Sequence, residues 1–174
     1  RSYKGRVMGR ANHLELVLVK IDASQELPAV ELGDSDRARV GQIAYAFGDS
    51  FDSLQNDDQA AMSLGVVSGI YDLDQKHGDA VYTGRVLETS AAVNPNQDGG
   101  PLVDRDGKLL GIITLNYDDS KFTGLAIPVN VLKPAIARIR RDYQSQPVVV
   151  EAPAAPGPAA PPAGEAWLGA EVKE

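Results

Sequence analysis

Short runs in which apolar and polar residues alternate, broken by Gly, Asp and Asn, fill most of the chain before about position 130. A period of two puts every second side chain on one face, so such runs predict antiparallel strands joined by hairpins. Strands are expected at 3–9 (YKGRVMG), 14–21 (LELVLVKI), 42–48 (QIAYAFG), 62–73 (MSLGVVSGIYDL), 82–89 (YTGRVLET), 100–104 (GPLVD), 108–117 (KLLGIITLNY) and 122–128 (FTGLAIP). The Asp-Gly pair inside DRDGK, 104–108, separates two of these runs and signals a hairpin turn. One segment changes period. In NVLKPAIARIRRDY, 130–143, Val131, Leu132, Ile136 and Ile139 follow helical spacing, Asn130 can cap the first turn, and Pro134 sits near enough to the start to be tolerated. Many short strands with one terminal helix predict an all-β barrel or sandwich.

Composition shifts abruptly near Pro147. In EAPAAPGPAAPPAGEA, 151–166, Ala and Pro fill twelve of sixteen positions, a mixture with nothing to bury and few donors, so 147–166 is expected to be an extended linker. After it, WLGAEVKE brings the only tryptophan and an apolar alternation, which is expected to be the first strand of another module. The chain of 174 residues opens on RSYKGRVMGR, a strand-like fragment with no lead-in, and is expected to be part of something longer.

Charge and cysteine usage narrow the chemistry. A net charge of −7 repels polyanions, and the one basic run, ARIRRDY at 137–143, reads as the solvated end of a helix, so no nucleic-acid partner is expected. The absence of cysteine excludes a disulfide framework, a thiolate nucleophile and a Cys-ligated metal. No segment approaches the eighteen apolar residues that span a bilayer. Asp72, Asp74, His77 and Asp79 are rich in oxygen but lack the glycine-anchored spacing of a calcium loop, and no metal or other cofactor is expected.

The order of five blocks carries more than any single motif. LELVLVKI, LPAVELGDSDRARVGQIAYAFGDSF, LGVVSGI, TSAAVNPNQDGGPLVDRDGKLLGIIT and FTGLAIPVNVLK together resemble the HtrA (Deg) type of trypsin-like serine protease, from about Tyr3 to Asp142. The resemblance implies a chymotrypsin-like pair of β-barrels. Residues 1–40 would be the remnant of the first barrel with the interbarrel connection, and 41–146 the complete second barrel with its C-terminal helix. Residues 167–174 would then begin a PDZ domain beyond the Ala/Pro linker. It further implies an extracytoplasmic setting, a polypeptide or protein ligand, and a homo-oligomer or larger assembly.

Such a protease needs a Ser nucleophile, a His base, an Asp that orients the His, and backbone amides that hold the oxyanion. The family's nucleophile turn matches Asn94 to Leu102, which places Asp98 where the Ser would stand, and the orienting carboxylate matches Glu15. The oxyanion amides would be those of Asn96, at a position the family usually fills with Gly, and of Asp98. The matching His would lie upstream of Arg1: His13 is too close to Glu15, His77 falls in a loop, and both read as solvated residues. The walls of the specificity pocket match GIIT and GLAIP, with Ile112, Thr114, Leu125 and Ala126 as candidates, beside an acidic loop at 116–124; these strands equally suit the inward face of a barrel.

A carboxylate at 98 has no hydroxyl proton for a base to remove, and its attack on an amide would give an easily reversed mixed anhydride. The expectation is a catalytically inactive homologue that binds peptide or serves assembly, with the Asp98 carboxylate folded back onto the amides of its own turn. An active endopeptidase, with Ser90 as the nearest hydroxyl in sequence, and a purely structural subunit stand as alternatives.

Overall fold

A computed structural model describes residues 3–50, 59–74, 80–115 and 124–145. Eight strands form within them: β1 (Gly5–Ala11), β2 (Leu16–Ile21), β3 (Ile43–Gly48), β4 (Ala61–Leu73), β5 (Gly84–Thr89), β6 (Pro101–Asp104), β7 (Leu109–Thr114) and β8 (Gly124–Pro128), followed by helix α1 (Val129–Gln144). All but one fall within a residue or two of the expected run, because the alternation that marks a half-buried strand is strong; β7 ends at Thr114, short of the 117 expected, and 116–117 lie outside the described residues. The linker and the expected PDZ strand lie outside the described residues.

Strands β3 to β8 close into one antiparallel barrel in the order β3-β4-β5-β8-β7-β6, with β3 pairing back onto β6. Its interior is narrow and is filled by side chains alone: Ala44, Ala46, Val67, Leu87, Leu102, Leu110, Ile113 and Ala126 are all buried there. The β6–β7 hairpin turns where the Asp-Gly pair predicts. Asp104 Oδ1 accepts from the N–H groups of Asp106 and Lys108, both at 2.9 Å, and Gly107 takes the positive φ of 77° that this turn requires.

Strands β1 and β2 form a separate two-stranded sheet. Helix α1 covers one face of it, and Gly9 allows the approach: a Cβ there would stand 2.8 Å from Ile139 Cγ2. Between sheet, helix and the outside of the barrel lies a second core of Ala11, Leu14, Tyr82, Val86, Ile127, Leu132, Ala135 and Ile139, with Leu16 and Leu18 packed against it. This core locks the short sheet to the barrel, and a cleft opens along the seam.

The connection between sheet and barrel is clasped as well. Leu109 N–H donates to Glu31 O at 2.8 Å, Gly33 N–H donates to Leu109 O at 3.0 Å, and Lys133 Nζ reaches Gly33 O. Here Asn130 departs from its expected role. The N-cap is Pro128, which has no side-chain donor or acceptor to offer, and Asn130 lies inside the first turn. Its backbone N–H is satisfied by Ser35 Oγ at 3.0 Å, while its Nδ2 donates to Asp34 Oδ1 at 2.6 Å. A residue distant in sequence thus caps the helix, which no local pattern encodes.

The Asn130 amide, aided by Asp36 N–H and by Lys133 and Arg37, holds the Asp34 carboxyl below its ordinary value of 3.8. A depressed carboxylate contributes stability that is fully present above the unfolded pKa and is lost as pH falls through the folded one. Asn130→Ala is therefore expected to lower the urea midpoint at neutral pH, with the gap from the native protein narrowing below pH ~3.8. A gap that persists unchanged into acid would assign the effect to the lost bond between Lys133 Nζ and Asn130 Oδ1 instead.

Candidate functional site

Two consecutive tight turns build the loop at 94–100. In the first, Gln97 N–H returns to Asn94 O at 3.1 Å, with Pro95 second and Asn96 third at φ 71°, the order that a type II turn asks for. In the second, Gly100 N–H returns to Gln97 O at 3.0 Å, and Gly99 takes φ 79°. Two further bonds fasten the loop to β7: Gly99 N–H to Ile113 O at 2.9 Å and Ile113 N–H to Gly100 O at 2.8 Å.

Gln97 anchors the loop from inside. Its side chain is fully buried, its Oε1 accepts from Asn94 N–H at 2.6 Å, and it fills the space left by the missing side chain of Gly48. Sequence reasoning passed over Gln97 for its neighbour, because nothing in the sequence marks which side chain of the turn points inward; once buried, its amide has to be hydrogen-bonded.

Asp98 stands exposed at the tip of the second turn, and its carboxylate does not fold back onto the loop. The amides of Gln97, Gly99 and Gly100 are already committed to carbonyls, and that of Asn94 to Gln97. Asp98 Oδ1 instead crosses to Leu115, whose N–H at the end of β7 donates to it at 2.8 Å. Asn96 is exposed and left-handed, a backbone state that asparagine tolerates better than most residues.

Glu15 faces Asp98 across a cleft of about 70 Å³ walled by Leu14, Leu16, Ile112, Thr114 and Leu132. It closes the short 3-10 turn Asn12–Leu14 in a left-handed conformation, φ 53°. Its Oε1 accepts from the N–H groups of Val81 and Tyr82, and Thr114 Oγ1 donates to its Oε2 over a longer 3.4 Å. The Tyr82 ring is buried in the second core; that burial, with Asp72 nearby, pushes its phenol up, and it remains a donor to Arg85 O at 2.8 Å.

The four expected pocket residues separate by strand alternation. Ile112 and Thr114 line the cleft, and Leu125, paired with Thr114, shares their face of the sheet. Ala126 pairs with Ile113 on the opposite face and is completely buried inside the barrel. Ser90 is tied to β4, its Oγ accepting from Val66 N–H at 3.1 Å. His13 is exposed on the 3-10 turn, and its side of that turn faces a groove along α1 rather than the cleft. His77 and most of the acidic loop at 116–124 lie outside the described residues. Among the described residues no three His, Asp or Glu side chains gather in a way that could hold a metal ion.

Residues 1–112 match the family described as "Trypsin-like peptidase domain". The chain is 33% identical over 144 residues to the "Probable periplasmic serine endoprotease DegP-like" of Rickettsia prowazekii, covering 80% of this chain and 27% of that protein. It is likewise 33% identical over 132 residues to the "Serine protease Do-like HtrA" of Bacillus subtilis, covering 74% and 29%. Among solved structures, an "HtrA-type protease AlgW with decapeptide" superposes with a TM-score of 0.68 at 30% identity, covering 81% of this chain and 42% of the other. The chain belongs to the trypsin-like peptidase family and, within it, to the HtrA type. It spans little more than a quarter of the length of these two relatives.

The Asp98 bond makes a local prediction. Asp98→Ala should speed hydrogen exchange at the Leu115 amide roughly fivefold to thirtyfold, the range that loss of 1 to 2 kcal/mol gives, whereas Asp98→Asn keeps an acceptor and should change it little. Equal exchange in all three proteins would show that the bond does not form in solution.

Proposed function

We propose that this chain is the trypsin-like part of an HtrA-type pseudoprotease: a protease fold that binds polypeptide without cleaving it. The observation that carries the reading is Asp98, at the position that resemblance assigns to the nucleophile, with its carboxylate engaged by the Leu115 N–H. A carboxylate there supplies no proton to a general base, and a fixed anion beside the oxyanion amides opposes the charge that develops in acyl transfer. Loss of a triad member generally leaves roughly 10³ to 10⁴-fold acceleration over water from the oxyanion hole and binding, and the anion diminishes even that.

Glu15 supports the same assignment from the other side of the cleft. It occupies the position of the orienting carboxylate and holds hydrogen bonds from Thr114 and two backbone amides, an arrangement suited to receiving an imidazole supplied from upstream. Peptide as the ligand class is supported by the solved HtrA-type neighbour, which is described with a decapeptide, and an extracytoplasmic setting by the periplasmic name of the Rickettsia relative. The relatives are named as serine proteases, so the competing reading is an active endopeptidase.

An assay of the full-length protein on an unstructured casein-like substrate decides between them. The native protein is expected to give no cleavage above buffer, and Asp98→Ser to gain cleavage that a serine-directed inhibitor stops. Cleavage by the native protein that survives both that inhibitor and Asp98→Ala would overturn the pseudoprotease reading.

Self-association has its own support. On β3 the small residues Ala44 and Ala46 point into the barrel, while Ile43, Tyr45 and Phe47 point out beside Val66, Leu64 and Met62 of β4. Ile43, Met62 and Leu64 are 46%, 59% and 62% exposed, and no charged residue interrupts either stretch from Gln42 to Gly48 or from Ala61 to Gly69. Large residues outward and small ones inward suit a face covered by a second copy. Leu64→Lys, at an exposed position, is expected to shift the full-length protein toward monomer in sedimentation velocity without changing its circular dichroism. An unchanged assembly would remove this face from the interface.

A further inference from the structure

On the far side of Leu14 from the cleft, the turn between β1 and β2 and helix α1 enclose a groove of about 280 Å³ lined by His13, Leu14, Val131, Pro134, Ala135 and Arg138. The four helical residues follow the spacing i, i+3, i+4, i+7 and so form one stripe along α1. Leu14 and Ala135 are themselves nearly buried, which gives the groove an apolar floor fixed by the core beneath it. Arg138 on the helix is the charged residue of the lining, and His13 on the turn contributes an imidazole N–H donor.

Neither of these side chains has an ion-pair or hydrogen-bond partner among the described residues. That contrasts with Lys133 on the same helix, which is spent on Gly33 O and Asn130 Oδ1, and with Lys108, which is paired with Glu31. On a chain whose net charge is −7, an apolar floor beside the uncommitted guanidinium of Arg138, with the His13 ring as a further N–H donor, is a local reversal of sign.

We propose that this groove is a second docking site, separate from the Asp98 cleft, for an extended segment of a partner protein in which an aliphatic residue is flanked by Asp or Glu side chains. The aliphatic side chain lies on Val131, Pro134 and Ala135, and the flanking carboxylates meet Arg138 and His13. Charge complementarity selects the partner, and the volume limits what enters to one or two side chains rather than a folded surface. The site does not depend on whether Asp98 leaves the protein active or inactive.

The test titrates the full chain with a fluorescein-labelled, amide-capped peptide of alternating leucine and glutamate and reads anisotropy, while amide chemical shifts locate the contact. Saturable binding is expected, with shifts at Leu14, Ala135 and Arg138. It should weaken about tenfold in Arg138→Glu, a change of about 1.4 kcal/mol, and less in Arg138→Lys. Asp98→Ala should leave it unchanged, which separates this site from the cleft. A leucine and glutamine peptide with amide ends should not bind. No saturable binding up to about 1 mM, equal affinity in Arg138→Glu, or shifts confined to residues around Glu15 and Asp98 would each overturn the proposal. Binding of the glutamine peptide only when its C-terminus is a free carboxylate would also overturn it, by assigning the anion to a chain end.

Discussion

The last two residues of β7, with Leu115 just beyond it, are the framework on which the cleft is hung. Ile113 gives both of its backbone groups to the loop that carries Asp98, Leu115 gives its N–H to the Asp98 carboxylate, and Thr114, between them, turns its hydroxyl to Glu15. Three successive residues thus fix both sides of the cleft at once. The other end of the same strand holds the connection between the two-stranded sheet and the barrel through Leu109. Because β7 is paired on both edges, with β6 and β8, it cannot shift without disturbing the barrel. The precision of the site is therefore borrowed from sheet pairing rather than supplied by the loop itself.

The strands and helix were legible because their causes are local. Alternation in LELVLVKI or KLLGIIT is produced by burial on one face, and DRDGK folds as its Asp and Gly dictate. The closed order of the six strands was not readable from periodicity, which gives faces but not neighbours; it entered through resemblance to a family. At the site, Glu15, Asp98, Ile112 and Thr114 were all named from the sequence and do line one cleft.

What stayed illegible depended on partners far along the chain. The direction of the Asp98 carboxylate is set by which amides of its own turns are already committed and by a free N–H at Leu115, 17 positions away, that only the closed sheet brings alongside. The capping of α1 is similar: Ser35 and Asn130 lie 95 residues apart, and only the closed fold makes them neighbours. Ala126 shows a different gap. Its strand was placed correctly, but a one-residue step in an extended chain moves a side chain from the cleft side to the barrel interior, and a motif match does not resolve that step.

The loop at 94–100 holds its shape through backbone bonds, two left-handed residues and the buried amide of Gln97. Asp98 takes no part in any of these; its single side-chain bond leaves the loop altogether. The shape of the loop and the side chain it presents at its tip are thus encoded by different letters of the same short phrase, NPNQDGG. A chain built this way can exchange the residue at one position while keeping an unaltered scaffold around it, so the shape of such a loop is no witness to what it does.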